Sequence, residues 1–109
     1  MKTSKVPKKI TLKDPITGTT GQVLPFREYA YSHWFADQRW ANPLTNIDIF
    51  LKVKKEVDKP EGEDMNFEDE DHKLFAEIIR SVPHEPALIY VQIKGFDDAI
   101  LNAPNAAPK

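Results

Sequence analysis

The sequence predicts a single α+β domain, mainly α, in which a short N-terminal β-hairpin is followed by three to four helices. Three observations carry this. A chain of 109 residues with 40% hydrophobic and 10% aromatic content suffices for one small core and not for two domains. Apolar and polar residues alternate only near the N-terminus, at Ile10-Thr11-Leu12-Lys13, where the period of two fits a strand. From Phe26 onward apolar residues recur at separations of three and four, the helical period.

Residues 1–8 mix Lys, Thr, Ser and Pro without periodicity and read as a flexible basic arm, with the globular domain spanning 9–101. Asp14-Pro15 opens a turn and Gly18 and Gly21 close it, so Ile10–Lys13 and Gln22-Val23-Leu24 make a hairpin or two short neighbouring strands. From Phe26 to about Trp40 the spacing is helical, with Pro25 suited to a helix start. Aromatics cover so much of this segment's circumference that one face cannot hold them all. Asn42-Pro43 breaks it. Thr45 offers a hydroxyl cap, with Asp48 in the capping-box position, for a helix to about Val57. In that helix Ile47, Phe50, Leu51 and Val57 share a face, with Lys52, Lys55 and Glu56 opposite.

Residues 58–66 read as an acidic loop, with Met65-Asn66-Phe67 able to add a brief strand. Glu68-Asp69-Glu70-Asp71 places carboxylates at the positive end of a helix dipole. Leu74, Phe75, Ile78, Ile79 and Val82 then give an amphipathic helix that ends before Pro83. Residues 87–101 favour a helix with Leu88, Val91, Gln92, Phe96 and Ala99 on one side. A strand ending at Gly95 competes, because Leu88–Ile93 is rich in β-branched and aromatic residues. Residues 102–109 have nothing to bury and read as a flexible tail.

Fifteen Lys and Arg against seventeen Asp and Glu give a net charge of −2, too little positive field for nucleic-acid binding. The average conceals two segments. Lys2, Lys5, Lys8, Lys9 and Lys13 lie in a stretch without acids, whereas Glu56, Asp58, Glu61, Glu63, Asp64, Glu68, Asp69, Glu70 and Asp71 face one base, Lys59. The absence of cysteine excludes disulfides, thiolate nucleophiles and cysteine metal sites. No apolar run is long enough to span a membrane, and no apolar stretch follows the first lysines to form a signal peptide. A cytoplasmic location is the expectation.

Catalysis finds no support. Ser4, Ser32 and Ser81 could work only with His33, His72 or His84, and no nucleophile-elbow sequence surrounds any of them. Ser32 and His33 are neighbours on a predicted helix and point about 100° apart. Glu68 with His72, or His33 with Asp37, share a helix face as metal ligands can, but two ligands are not a site. No calcium-loop order and no phosphate-cradling glycine motif occurs. No cofactor is expected.

The candidate residues are therefore interaction residues. Trp34, Phe35 and Trp40 form either the core or an exposed protein-binding surface, with Trp34 assigned to the core and Trp40, beside the helix break, to the surface. Glu61, Glu63, Asp64, Glu68, Asp69 and Asp71 form an acidic surface. Two further function classes follow: an inhibitor of a host nucleic-acid-binding protein, in which these carboxylates imitate a phosphate backbone, and a small metal-dependent enzyme using His33, Asp37, Glu68 or His72. Exposed aromatics and an open edge on a two-stranded sheet would both favour homo-oligomers.

Three stretches together, Pro7-Lys-Lys-Ile-Thr-Leu-Lys-Asp-Pro-Ile-Thr-Gly18, Asp69-Glu-Asp-His-Lys-Leu-Phe75 after a helix and an acidic loop, and Pro86-Ala-Leu-Ile with Gln92-Ile and Phe96-Asp-Asp-Ala99, resemble small tail-gene-cluster proteins of long-tailed bacteriophages. The resemblance covers residues 7 to 100, and the aromatic density of Tyr29 to Trp40 departs from it. It implies a tail-assembly chaperone or minor virion component that is not an enzyme and acts by protein contact. It also implies a phage or host protein partner and no catalytic residues.

Overall fold

The computed structural model describes residues 1–14, 16–81 and 87–105, with residues 87–89 described by their backbone alone. It is α+β. Strand β1 (Lys2–Lys5) precedes a hairpin of β2 (Ile10–Lys13) and β3 (Thr20–Leu24). Helix α1 (Phe26–His33), a 3₁₀ turn (Gln38–Trp40), α2 (Asn46–Val57), β4 (Asp64–Phe67), α3 (Asp69–Ser81) and α4 (Ala87–Leu101) follow.

The hairpin and the helices α2, α3 and α4 stand where the sequence predicts them, whereas the first helix is shorter than predicted and the arm is not free. β1 pairs antiparallel with β4, Lys2 opposite Phe67 and Lys5 opposite Asp64, so the first residues form a strand and not a flexible arm. The reason is long-range. Val6 is buried, its N–H donates to the Glu63 carbonyl at 2.8 Å, and its own carbonyl accepts from Gly62 N–H at 3.0 Å. The acidic loop consequently ends at Gly62-Glu63, where β4 begins.

The beginning of the tail is likewise corrected. Thr3 N–H donates to the Pro104 carbonyl at 2.9 Å, Lys2 bridges to Asn105, and Ala103 is buried. Residues 106–109 lie outside the described residues. The two long edges of the β1–β4 sheet are thereby occupied in part, β1 by Pro104 and Asn105, and β4 by the Glu56 carboxylate, which accepts from Asn66 N–H at 2.8 Å.

In the hairpin, the Asp14 carboxylate accepts from Ile16 and Thr17 N–H at 2.8 and 3.0 Å, and Gly18 takes the left-handed φ of 71° that closes the turn. Gln92 of α4 holds β2 by two bonds. Its Oε1 accepts from Lys13 N–H at 2.7 Å and its Nε2 donates to the Lys13 carbonyl at 2.9 Å, so a side-chain amide imitates a neighbouring strand.

The predicted helix to Trp40 is two pieces. After His33 the last turn widens, with Trp34 and Phe35 N–H both donating to the Ala30 carbonyl, and Asp37 is extended at ψ 137°. Its carboxylate accepts from Arg39 N–H at 2.8 Å, a local bond that competes with helix continuation and caps the 3₁₀ turn. This break answers the crowding on the circumference. It turns Trp40 back, so that its indole N–H donates to the Trp34 carbonyl at 2.8 Å and both indoles enter one core.

The ring contacts around them are dense. Phe75 lies edge-on to Trp34 and Phe67, with centroids at 5.4 and 5.7 Å, and it also contacts Trp40 at 5.6 Å. Phe35 meets Trp40 and Phe50 at 5.7 and 5.4 Å.

Two helix faces differ from prediction. α4 buries Ile93, Phe96, Asp97 and Ile100, whereas Val91, assigned to the inner side, is 74% exposed. In α2 the inner face is Val53 and Val57, with Ile49 and Phe50 packed against the core, while Ile47 and Leu51 face outward. Thr45 is in the α region and its hydroxyl makes no capping bond, because the chain is already winding before Asn46.

Deleting residues 1–5 should lower the melting temperature by several degrees, and Val6→Ala should cost about 1–2 kcal/mol in urea denaturation. An unattached arm would leave both measurements at their wild-type values.

Candidate functional site

The candidate aromatics are committed to the core. Trp34 is 1% exposed and Trp40 3%, so Trp40 belongs to the core and its assignment to the surface is corrected. Burial of the ring is compatible with its polar N–H only because the Trp34 carbonyl accepts that proton. Phe35 is half-buried and packs on the same cluster. The aromatics that crowd the sequence are interior.

Three of the acidic candidates, Glu61, Asp64 and Asp69, are turned toward the chain's own basic segment. Glu61 Oε1 accepts from Lys9 N–H at 2.9 Å, Asp64 pairs with Lys5 at 3.3 Å, and Asp69 pairs with the N-terminal ammonium at 3.0 Å. Asp71 is buried and pairs with Lys52 of α2 at 2.9 Å. Glu63 and Glu68 are exposed and contribute backbone carbonyls, to Val6 N–H and His72 N–H. Folding thus brings the two charge-rich segments together.

The histidines serve the fold. His72 is buried, and its Nε2 donates to the Ile100 carbonyl at 2.6 Å, fastening α3 to α4. His33 Nδ1 donates to the Tyr29 carbonyl at 3.2 Å. The partner proposed for it, Asp37, is instead clamped by Arg39 through Nε at 3.0 Å and Nη2 at 2.8 Å. The Arg39 guanidinium, with its backbone N–H, holds the Asp37 carboxyl below its ordinary 3.8 against an opposing effect of burial. Among the described residues no three His, Asp or Glu side chains converge as a metal site. Ser81 Oγ donates to the Ile78 carbonyl at 2.9 Å and accepts from Arg39, and His84 lies outside the described residues.

One buried group escaped the sequence reading. Asp97 is 1% exposed and accepts from Tyr29 Oη at 3.2 Å and Tyr90 Oη at 3.1 Å, joining α1 to α4. Its position, one residue after the core Phe96 in an apolar helix, was the available signal.

Among the large apolar side chains left exposed, with Ile16, Val23 and Val91 elsewhere, three lie close in sequence at the start of α2. Leu44, Ile47 and Leu51 are 75%, 38% and 56% exposed. Ile47 and Leu51, four residues apart, share one side of the helix about 6 Å apart along its axis, and Leu44 stands in the turn that leads into it. Farther along this side Lys54 lies over the Tyr31 ring, 5.3 Å from its centroid, and pairs with Asp58 at 3.0 Å. Tyr31 Oη donates to Asp58 at 2.5 Å. Burial raises the Asp58 pKa, but the Tyr31 hydroxyl and Lys54 outweigh it and hold the carboxyl below 3.8.

The α2 face is exposed because the aromatic core binds another side of the helix. Phe50, Val53 and Val57 meet Phe35, Trp40 and β4, and one helix cannot turn two apolar stripes inward. No helix of the described residues is long and apolar enough to cross a membrane.

Trp40→Ala should cost about 3–5 kcal/mol of stability, whereas Leu51→Glu should stay within about 0.5 kcal/mol, both read from chemical denaturation. Because the folded Asp37 pKa is depressed, its stabilising effect is complete above the ordinary value of 3.8 and is lost as pH falls through the lower folded value. Asp37→Asn should therefore be less stable than wild type near neutrality and show a shallower loss of stability in acid. Equal acid slopes for the two proteins would contradict this. Comparison with protein families, curated proteins and solved structures finds no match to this chain.

Proposed function

We propose that this protein is a non-enzymatic assembly factor that acts by protein–protein contact through the outer face of α2, in the tail or virion assembly of a long-tailed bacteriophage. The observation that carries the contact is the exposure of Ile47 and Leu51 on the outer side of α2, with Leu44 in the turn before it, while the other side of the helix is packed into the core. An amphipathic partner seated on such a row contributes apolar burial at about 25 cal/mol per Å². The phage setting rests on the resemblance of Pro7–Gly18, Asp69–Phe75 and the Phe96–Ala99 region to tail-gene-cluster proteins, and for a phage-encoded protein it implies action in the host cytoplasm.

The arrangement of charge favours this reading over imitation of a nucleic-acid backbone. An imitation needs carboxylates free to meet a basic partner. Asp64, Asp69 and Asp71 meet Lys5, the N-terminus and Lys52.

The test is affinity capture with tagged protein from phage-infected cells, followed by identification of what is bound. A tail or virion protein should be retained by wild type through a high-salt wash and lost with Leu51→Glu. Capture of a basic host protein that elutes with salt, or capture unaffected by Leu51→Glu, would overturn the proposal.

A further inference from the structure

The two edges of the β1–β4 sheet are closed unequally. Thr3 N–H points away from β4 to reach the Pro104 carbonyl at 2.9 Å. By the alternation of a strand, the backbone groups of Thr3 and Lys5 therefore face outward, and those of Ser4 and Val6 face β4. The bond from Val6 N–H to the Glu63 carbonyl has the same phase. On the far edge the outward groups of β4 are met by α2 and the loop after it. Asn66 N–H donates to the Glu56 carboxylate at 2.8 Å, and the Asp64 carbonyl accepts from Lys59 Nζ at 3.0 Å.

The outer edge of β1 is covered by an imperfect third strand. Asn105 bridges to Lys2, which sets Pro104 opposite Thr3 in an antiparallel register. At such a position two strands exchange two bonds, one in each direction. Pro104 accepts the first and, having no N–H, returns none to the Thr3 carbonyl. The covering segment then leaves the edge. Asn102 N–H is bonded to the Asp98 carbonyl in the last turn of α4, and Ala103 is buried. Lys5 is exposed, and no backbone group of another described segment meets its outward N–H and carbonyl.

We propose that the outer edge of β1 receives an extended, acidic segment of a partner protein, which displaces residues 103–105 and pairs antiparallel as a third strand. The chain's own segment, seated there, shows that an extended antiparallel chain fits. A segment without proline makes two bonds at Thr3 and two at Lys5, in place of one. A sheet of two strands is also stabilised by a third. Charge selects the segment. Asp64 and Asp69 are engaged with Lys5 and the N-terminal ammonium, whereas Lys2, Lys8 and Lys9 form no ion pair among the described residues. Opposite charges on neighbouring strands attract, so carboxylates on the incoming segment are favoured.

The probe is a blocked eight-residue peptide alternating valine and glutamate, titrated into the full-length protein and followed by amide NMR. It should shift the Thr3 and Lys5 N–H signals and slow exchange of the Lys5 N–H with solvent. The same peptide N-methylated at its internal amides should bind about tenfold more weakly or not at all, because it cannot donate to the edge. A version with lysine for glutamate should also bind more weakly. Pro104→Ala gives the covering segment the N–H it lacks and tightens it on Thr3. Peptide affinity should then fall about fivefold, the change expected of one net hydrogen bond. The amide spectrum of this variant reports that it is folded.

Unmoved Thr3 and Lys5 signals at millimolar peptide would overturn the proposal. So would equal binding of the N-methylated peptide, or an unchanged affinity in Pro104→Ala. This edge lies across the sheet from α2, so Leu51→Glu should leave the titration as it is, and failure here leaves the reading of the α2 face standing.

Discussion

The return of Trp40 onto Trp34 governs this structure. A single hydrogen bond contributes about 1 kcal/mol net, whereas burying a large aromatic ring contributes several times that. The bond's role is one of geometry. Without an acceptor the indole N–H would carry a desolvation cost of about 1–3 kcal/mol in the core. With the Trp34 carbonyl 2.8 Å away, the ring can enter fully. Asp37 makes the reversal possible by binding Arg39 locally instead of continuing the helix.

The orientation of α2 follows from that core. Phe50 fills the space beside Phe35 and Trp40, and Val53 and Val57 follow it inward at helical spacing. Once this side is chosen, Ile47 and Leu51 must face outward. The exposed row is thus a consequence of aromatic packing on the opposite flank.

Electrostatics has a smaller role in stability and a larger one in arrangement. Exposed pairs such as Lys5 with Asp64 contribute at most about 1 kcal/mol each, so they do not hold β1 in place. Its ladder to β4 and the burial of Val6 do. The pairs decide instead that the basic start of the chain and the acidic stretch before α3 lie side by side. Charges that look like two opposed binding segments in the sequence become internal neighbours.

What the sequence determined by itself was what depends on near neighbours. Alternation at Ile10–Lys13, the turn chemistry of Asp14 and Gly18, and the apolar row from Leu74 to Ile79 all act within a few residues, and each was legible. So was the helix from Asn46 to Val57. The site was legible only as an ingredient, since Ile47 and Leu51 were recognised as apolar but assigned to the inner face. Only the tertiary structure decided which side of that helix is inward, because Phe50, Val53, Ile47 and Leu51 are comparably apolar and the choice belongs to Trp40 and Phe35. The strand at Lys2–Lys5 was illegible for a related reason. Its partner lies some sixty residues away, and pairing with Asp64–Phe67 leaves no periodic mark on a short, half-covered polar segment.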